Sequence, residues 1–417
     1  AGTKAAARSA NREAIDFLKR GLALLAELPE TRETLSTALD VRIALGTPLI
    51  AVHGPSSPVV EASYRDALDL VERLDDSARR FLVLWGLWYV QFTRGHYTPA
   101  VKAGERLLET ARRGNDSAQL LEAHHALWPT LVSMGEVRQA LFHLERGIAL
   151  YDRERHGSIA SLYGGHDPGT CSRYFLALSH WGLGYPERAL ATAREATRLA
   201  ETLGHAMTST LTLAFVTAIL YLRGDRLAVR AAGERCLAII EAHGFPGRAT
   251  DVAVLLNAIR DEPSDVATLD ALRSERESLA SWRTWRHVMS GCIIAALYGE
   301  ADAPEQGLEV LTELGDPETA GFLGSEVYRV EGELRRRIAP EGPDAARCFQ
   351  RAIDLARRQE LKSLELRAAT SLARLWHDQG RRDDARRALV DVYGWFTEGF
   401  ETHDLRAAKA LLDEVGP

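Results

Sequence analysis

Cysteine is scarce in this 417-residue sequence: Cys171, Cys236, Cys292 and Cys348 lie 65, 56 and 56 residues apart. No CxxC pair exists, which excludes zinc-ribbon spacing and a disulfide framework and fits a reducing, cytoplasmic setting. Long apolar runs are also missing. The longest, Phe81–Phe92 and Leu211–Leu222, fall short of the roughly 18 residues a membrane helix needs, and no signal-peptide pattern opens the chain. Basic excess is absent, because the formal net charge is -7; this argues against a broad nucleic-acid surface, which needs clustered Lys and Arg. No GxxxxGK[ST] phosphate loop, HExxH or GxSxG is present, and strand-like alternation is nearly absent.

What the sequence has is repetition. Short Gly- or Pro-containing turns separate long amphipathic segments: TRGHYTPA around Gly95, SMGEVRQA around Gly135, GLGYPERA around Gly184 and LRGDRLAV around Gly224. Later turns read IRDEPSDV near Pro263, YGEADAPE near Gly299, IAPEGPDA near Gly342 and DQGRRDDA around Gly380. Gly95 to Gly135 and Gly184 to Gly224 are each 40 residues, while Gly135 to Gly184 is 49 and implies an insertion. A glycine can supply the positive φ that ends one helix. Five residues later Ala100, Ala140, Ala189 or Ala385 lets the next helix pack close. Apolar residues such as Ala189, Leu190, Ala193, Ala196, Leu199 and Ala200 recur at threes and fours, a helical stripe.

The expectation is therefore an all-α protein. It is a right-handed α-solenoid of tetratricopeptide (TPR)-like helical hairpins, about 8–9 pairs with a repeat near 40 residues. Residues 1–417 form a single solenoid with an inserted loop at 156–174, an irregular charged unit at 261–281 and an aromatic C-terminal cap at 392–417. Glu13–Leu28 reads as the second helix of a pair whose first is missing, so the chain reads as a fragment of something longer.

Repeat proteins of this type bind along the concave face lined by the first helix of each pair. Taking the turn glycines as register, that face holds Leu82, Trp85, Tyr89 and Phe92, then Glu122, His125 and Pro129. Next come Cys171, Tyr174, Leu178 and Trp181, and then Ala214, Ala218 and Tyr221. The result is an aromatic groove with one acid and one imidazole, suited to a peptide or an aromatic or cationic small molecule. The insertion HGSIASLYGGHDPGTCSRY (156–174) supplies Tyr163, His166 and Asp167 as a loop over it. The bland alternative is that these aromatics are interhelical core and the loop a packing plug. His124, His125, His156, His166, Asp167, Cys171 and His180 gather in sequence and could ligate a metal. Adjacent His124 and His125 point about 100° apart on a helix, so no metal and no cofactor is expected. Arg335-Arg336-Arg337 and RRDDARR (381–387) read as solvated helix faces.

Several phrases carry a resemblance: VLWGLWYV (83–90), LLEAHHALW (120–128), LYGGHDPG (162–169), LGYPERAL (183–190), KSLELRAATSLARLW (362–376) and VYGWFTEGFETHDL (392–405). By these the chain resembles the C-terminal TPR-like region of large bacterial signalling proteins. Those combine a class III adenylate/guanylate cyclase or a kinase, a predicted AAA-like ATPase and a helical repeat tail. No cyclase aspartate pair or phosphate loop stands here, so the resemblance implies a non-catalytic regulatory or sensory domain. Its partners would be a protein, peptide or small molecule in the groove and upstream catalytic domains of the same polypeptide, with neither nucleic acid nor membrane. The alternatives are an enzyme or metal site built around 156–174, and an assembly scaffold similar to the sensor repeats of ATP-dependent transcription activators.

Overall fold

The computed structural model describes residues 1–8, 10–114, 116–157, 159–245, 249–278 and 283–416. These contain 22 α-helices, three short 3-10 turns and no strand. Consecutive helices pack as hairpins, starting with Arg32–His53 on Pro58–Leu74 and Ser77–Thr93 on Tyr97–Gly114. Next come Ser117–Met134 on Val137–Leu150, Pro168–Gly182 on Pro186–Leu203, and Ala206–Arg223 on Arg226–His243. Ala249–Ala258 with Val266–Ser278 and Trp285–Glu300 with Pro304–Glu313 follow. Gly324–Ile338 with Pro343–Arg358 and Lys362–Asp378 with Arg382–Gly394 complete the series before the last helix, His403–Val415. The chain is an α-solenoid of TPR-like hairpins.

The local chemistry explains the boundaries. Asp76, Asp116, Asp167 and Asp225 each accept backbone N–H groups as N-caps, satisfying donors that a helix start leaves open. Gly95, Gly135, Gly184, Gly224 and Gly380 all have positive φ, as the turn pattern requires. The turn assigned to Gly299 falls later: Gly299 is inside a helix, and Asp302 takes the left-handed conformation instead.

The irregular unit holds the helix Val266–Ser278, and its last residues, 279–281, lie outside the described residues. By length and mean hydropathy, Arg32–His53 and Ala206–Arg223 reach membrane-spanning dimensions, which the count of unbroken apolar runs missed. Ala206–Arg223 is apolar because helices surround it, and most of its residues are buried.

The second half of the chain returns to the turns of the first. Arg283 donates its N–H to the Thr93 carbonyl at 2.9 Å, and Tyr97 donates to the Arg283 carbonyl at 2.9 Å. Ser363 donates to the Trp181 carbonyl at 2.5 Å, and Arg367 to that of Leu222 at 2.9 Å. Glu398 accepts the N–H groups of Glu187 and Arg188 at 2.8 and 3.0 Å, capping a helix more than 200 residues earlier in sequence. The aromatic segment expected to cover the end of the stack thus lies on an internal turn, with Trp395 against Tyr185. One apolar core runs from Ile15 to Leu364 and joins the two halves.

Gly321 marks the tightest of these contacts. It has φ +68°, and a Cβ there would overlap the Ser133 carbonyl oxygen. Gly204 has φ +63° with open space around it. Gly204→Ala should cost about 1 kcal/mol, the left-handed penalty alone. Gly321→Ala should cost at least about 2 kcal/mol more, because a backbone contact between halves must open. Urea unfolding of both variants measures the difference.

Candidate functional sites

The structure brings most of the sequence-selected residues together, but as interior. Trp85, Tyr89, Glu122 and His125 are buried, as are Tyr163, His166, Asp167, Cys171, Tyr174 and Trp181. The helices that carry these residues converge, and the concave space between them is filled. Trp285 and Phe322, from the second half, occupy it: Phe215 and Trp285 ring centres are 5.3 Å apart, and Trp181 and Phe322 6.3 Å. A cavity of about 60 Å³ is left, bordered by Tyr89, His125, His166, Cys171, Tyr174 and Trp285. The expected open aromatic groove is therefore closed by the chain itself.

Around that cavity the polar groups are well defined. His125 Nδ1 and Glu122 Oε2 are 2.8 Å apart, and the Glu122 carbonyl accepts the Trp85 indole N–H at 3.2 Å. Pro129, inside the same helix, has no N–H for the carbonyl four residues back, that of His125. Asp167 is committed to structure: it accepts the Thr170 N–H at 2.7 Å as a helix cap and sits 2.9 Å from the Tyr151 hydroxyl.

Burial holds the Glu122 carboxyl well above its usual range, with the nearby Asp167 charge adding to the effect. It pushes His125 down to about 3 and the Cys171 thiol up to about 12. At neutral pH the thiol is protonated and the imidazole neutral, so the pair makes neither a ready nucleophile nor a strong base. The ligand atoms of His125, His166 and Cys171 nevertheless lie within 4.8 Å of one another. His124 is not among them; it faces His143, with Nδ1 atoms 2.9 Å apart.

A second site went unread in the sequence except for Tyr221. It is an open cavity of about 530 Å³. On one side stand Glu326, Arg329, Glu333 and Arg337 of the Gly324–Ile338 helix; on another, Arg367, Thr370, Ser371 and Arg374 of Lys362–Asp378. Tyr221 and Arg226, from the hairpin of Ala206–Arg223 and Arg226–His243, and His403 and Asp404, from the last helix, close it. The signal was present: residues 326, 329, 333 and 337, and residues 367, 370, 371 and 374, are polar at helical spacing on faces that in this fold turn inward. Arg337, taken as part of a solvated run, borders the cavity, while Arg335 and Arg336 pair with Glu331 and Glu333.

The floor is an ion network. Arg329 clamps Glu326 through two bonds of 2.7 and 2.9 Å. Arg367 reaches Asp404 at 2.7 Å and Glu326 at 3.4 Å, and its guanidinium lies 5.1 Å from the Trp181 ring centre. Burial alone would raise both carboxyls; Arg329 and Arg367 outweigh it for Glu326, and Arg367 with His403 for Asp404, so both ionise below their ordinary range. Arg337 and Arg374, by contrast, are exposed at the cavity and have no ion pair among the described residues.

No protein-family model matches the chain. A protein described as uncharacterized, R02095 of Rhizobium meliloti (strain 1021), is 24% identical over 388 residues, covering 90% of this chain. The chain spans only 37% of that relative's length. Among solved structures, the Rap protein complexed with Competence and Sporulation Factor aligns over 99% of this chain and 97% of its own, at 12% identity and TM-score 0.49. The P58(IPK) TPR domain aligns over 100% and 97%, at 12% identity and TM-score 0.24.

The network sets a signed pH dependence. Because Glu326 and Asp404 have depressed folded-state pKa values, their stabilisation is complete above the unfolded carboxylate range, near pH 4. It is lost as pH falls through the folded values. Arg367→Met leaves the Asp404 carboxylate without its arginine, while Glu326 keeps Arg329, and should cost about 3–5 kcal/mol at pH 7. That deficit should shrink towards pH 3, as the carboxylates protonate. Urea unfolding across pH checks this; a deficit of constant size would assign the loss to packing on Trp181.

Proposed function

We propose that the chain is a non-catalytic, ligand-binding regulatory domain whose ligand is a short acidic segment of a protein or peptide. The observation that carries this reading is the 530 Å³ cavity with Arg337 and Arg374, which have no ion pair among the described residues, beside a fixed Arg329–Glu326–Arg367–Asp404 floor. Guanidinium groups recognise carboxylates through planar paired hydrogen bonds. Arginine clusters are a recurrent way to read acidic motifs.

Regulation follows from where the cavity lies. Tyr221 and Arg226 belong to the middle hairpin of the solenoid, and His403 and Asp404 to the segment that folds back on it. A ligand touching both binds more tightly when the halves are seated together, and differential affinity is what shifts a conformational equilibrium. The setting we favour is the cytoplasmic repeat region of a larger bacterial signalling polypeptide with cyclase, kinase or ATPase modules, which such a shift would bias. The resemblance of the quoted phrases supports this, as does a Rhizobium relative far longer than the matched region. In this reading the aromatic residues from Trp85 to Trp181 form the rigid wall of the coil, and Tyr221 alone among the selected residues meets the ligand.

A library of short random peptides tests the proposal by thermal shift and titration calorimetry. Binders should be rich in Asp and Glu or depend on a free carboxyl terminus. Arg337→Glu with Arg374→Glu should weaken them at least tenfold without changing the unfolding midpoint, since both side chains are exposed. Binders indifferent to that double change, or no saturable binder, would refute it.

A further inference from the structure

The aromatic interior holds a second, independent feature. His125 comes from the Ser117–Met134 helix, His166 from the inserted loop and Cys171 from the first turn of Pro168–Gly182. Their ligand atoms share a space 4.8 Å across. Two nitrogens and a sulfur bound to one zinc ion stand roughly 2.0–2.1 and 2.3 Å from it. A small side-chain adjustment therefore brings all three into range.

The atoms behind the ligands are arranged as they are around bound metals. His125 Nδ1 faces the Glu122 carboxylate at 2.8 Å, and His166 Nδ1 faces the Gly164 carbonyl at 3.4 Å. An oxygen acceptor on Nδ1 fixes the tautomer whose Nε2 lone pair points to a metal. Glu122 adds a separate observation. It is fully buried, and its Oε1 has no hydrogen-bond partner among the described residues. A buried carboxyl oxygen left without a partner is costly, and a cation close by offsets the cost. Arg286, which borders the same cavity, is already paired with Asp251 at 2.8 Å.

We propose that His125, His166 and Cys171 bind one zinc ion, with Glu122 as the positioning residue behind His125. The Cys171 thiol gives its proton to solvent as the sulfur–zinc bond forms. The cavity of about 60 Å³ leaves room for a water as fourth ligand. The ion fastens the 156–174 loop to two helices of neighbouring hairpins, so its uptake accompanies folding. The ligands are 41 and 5 residues apart in the chain, so no short ligand motif marks them, although all three belong to the histidine, aspartate and cysteine gathering between residues 124 and 180.

Protein folded in the presence of zinc and then dialysed should retain one equivalent by elemental analysis. Its cobalt-substituted form should show a thiolate-to-cobalt charge-transfer band. Cys171→Ser should abolish that band, and Cys236→Ser, a buried cysteine outside the cluster, should keep it. Glu122→Gln should weaken zinc binding about 10–100-fold. Should the ligand variants not fold, the unaltered chain still decides the matter: chelation must lower its melting temperature. Zinc well below one equivalent, a cobalt adduct without the thiolate band, or a melting temperature indifferent to chelation would overturn the proposal.

Discussion

Everything in this molecule depends on the second half of the chain seating itself on the turns of the first. A solenoid of helical hairpins normally leaves a hollow on its inner side, because each repeat touches only its neighbours. Here Arg283, Ser363, Arg367 and Glu398 each reach a backbone group of an earlier hairpin. These bonds satisfy helix-end groups that would otherwise need water. They also place Trp285 and Phe322 inside the curve, where the apolar area they bury stabilises the coil in proportion to its size. The seam is polar at its rim and aromatic at its centre.

That division explains why the molecule has two interiors of different character. Near Trp85 and Trp128 the space is almost filled, and the polar groups that remain are few, close together and deprived of water. Near Arg329 and Arg367 the same coil keeps a wide solvent-reaching space, floored by charges that offset one another. A buried ion pair adds little net stability over an apolar equivalent, but breaking it is expensive. Its presence there fits a surface kept rigid for contact with something else better than one kept for stability.

Much of the architecture could be read directly from the chain. Glycine turns at 95, 135, 184, 224 and 380 and the apolar stripes between them announce stacked hairpins, since positive φ and helical periodicity are local properties. The inward side of the first four hairpins was also legible, which is why Trp85, His125, Cys171 and Tyr174 meet. What could not be read was closure. Nothing near Gly184 or Pro186 states that Trp395 and Glu398 will arrive there, because that pairing is set by the cumulative rotation of many repeats. The charged cavity was missed for a different reason: its polar stripes look like any solvated helix face until one knows which face turns inward. The meeting of His125 with His166 depends on a loop whose path is fixed by packing on Trp85 and Thr47, not by a ligand spacing.

The clasp made by Glu398 on the start of the Pro186–Leu203 helix has a mechanical meaning. It is a single carboxylate, near the rim, holding two amides of a distant repeat. A spring of stacked coils stretches by spreading small changes over every joint, whereas a latched spring resists until its catch lets go. Tension applied at the tail would load the Asp404–Arg367 bond of the last helix and then this carboxylate before it reached the aromatic centre, so the coil would answer pulling by a sharp release instead of gradual extension.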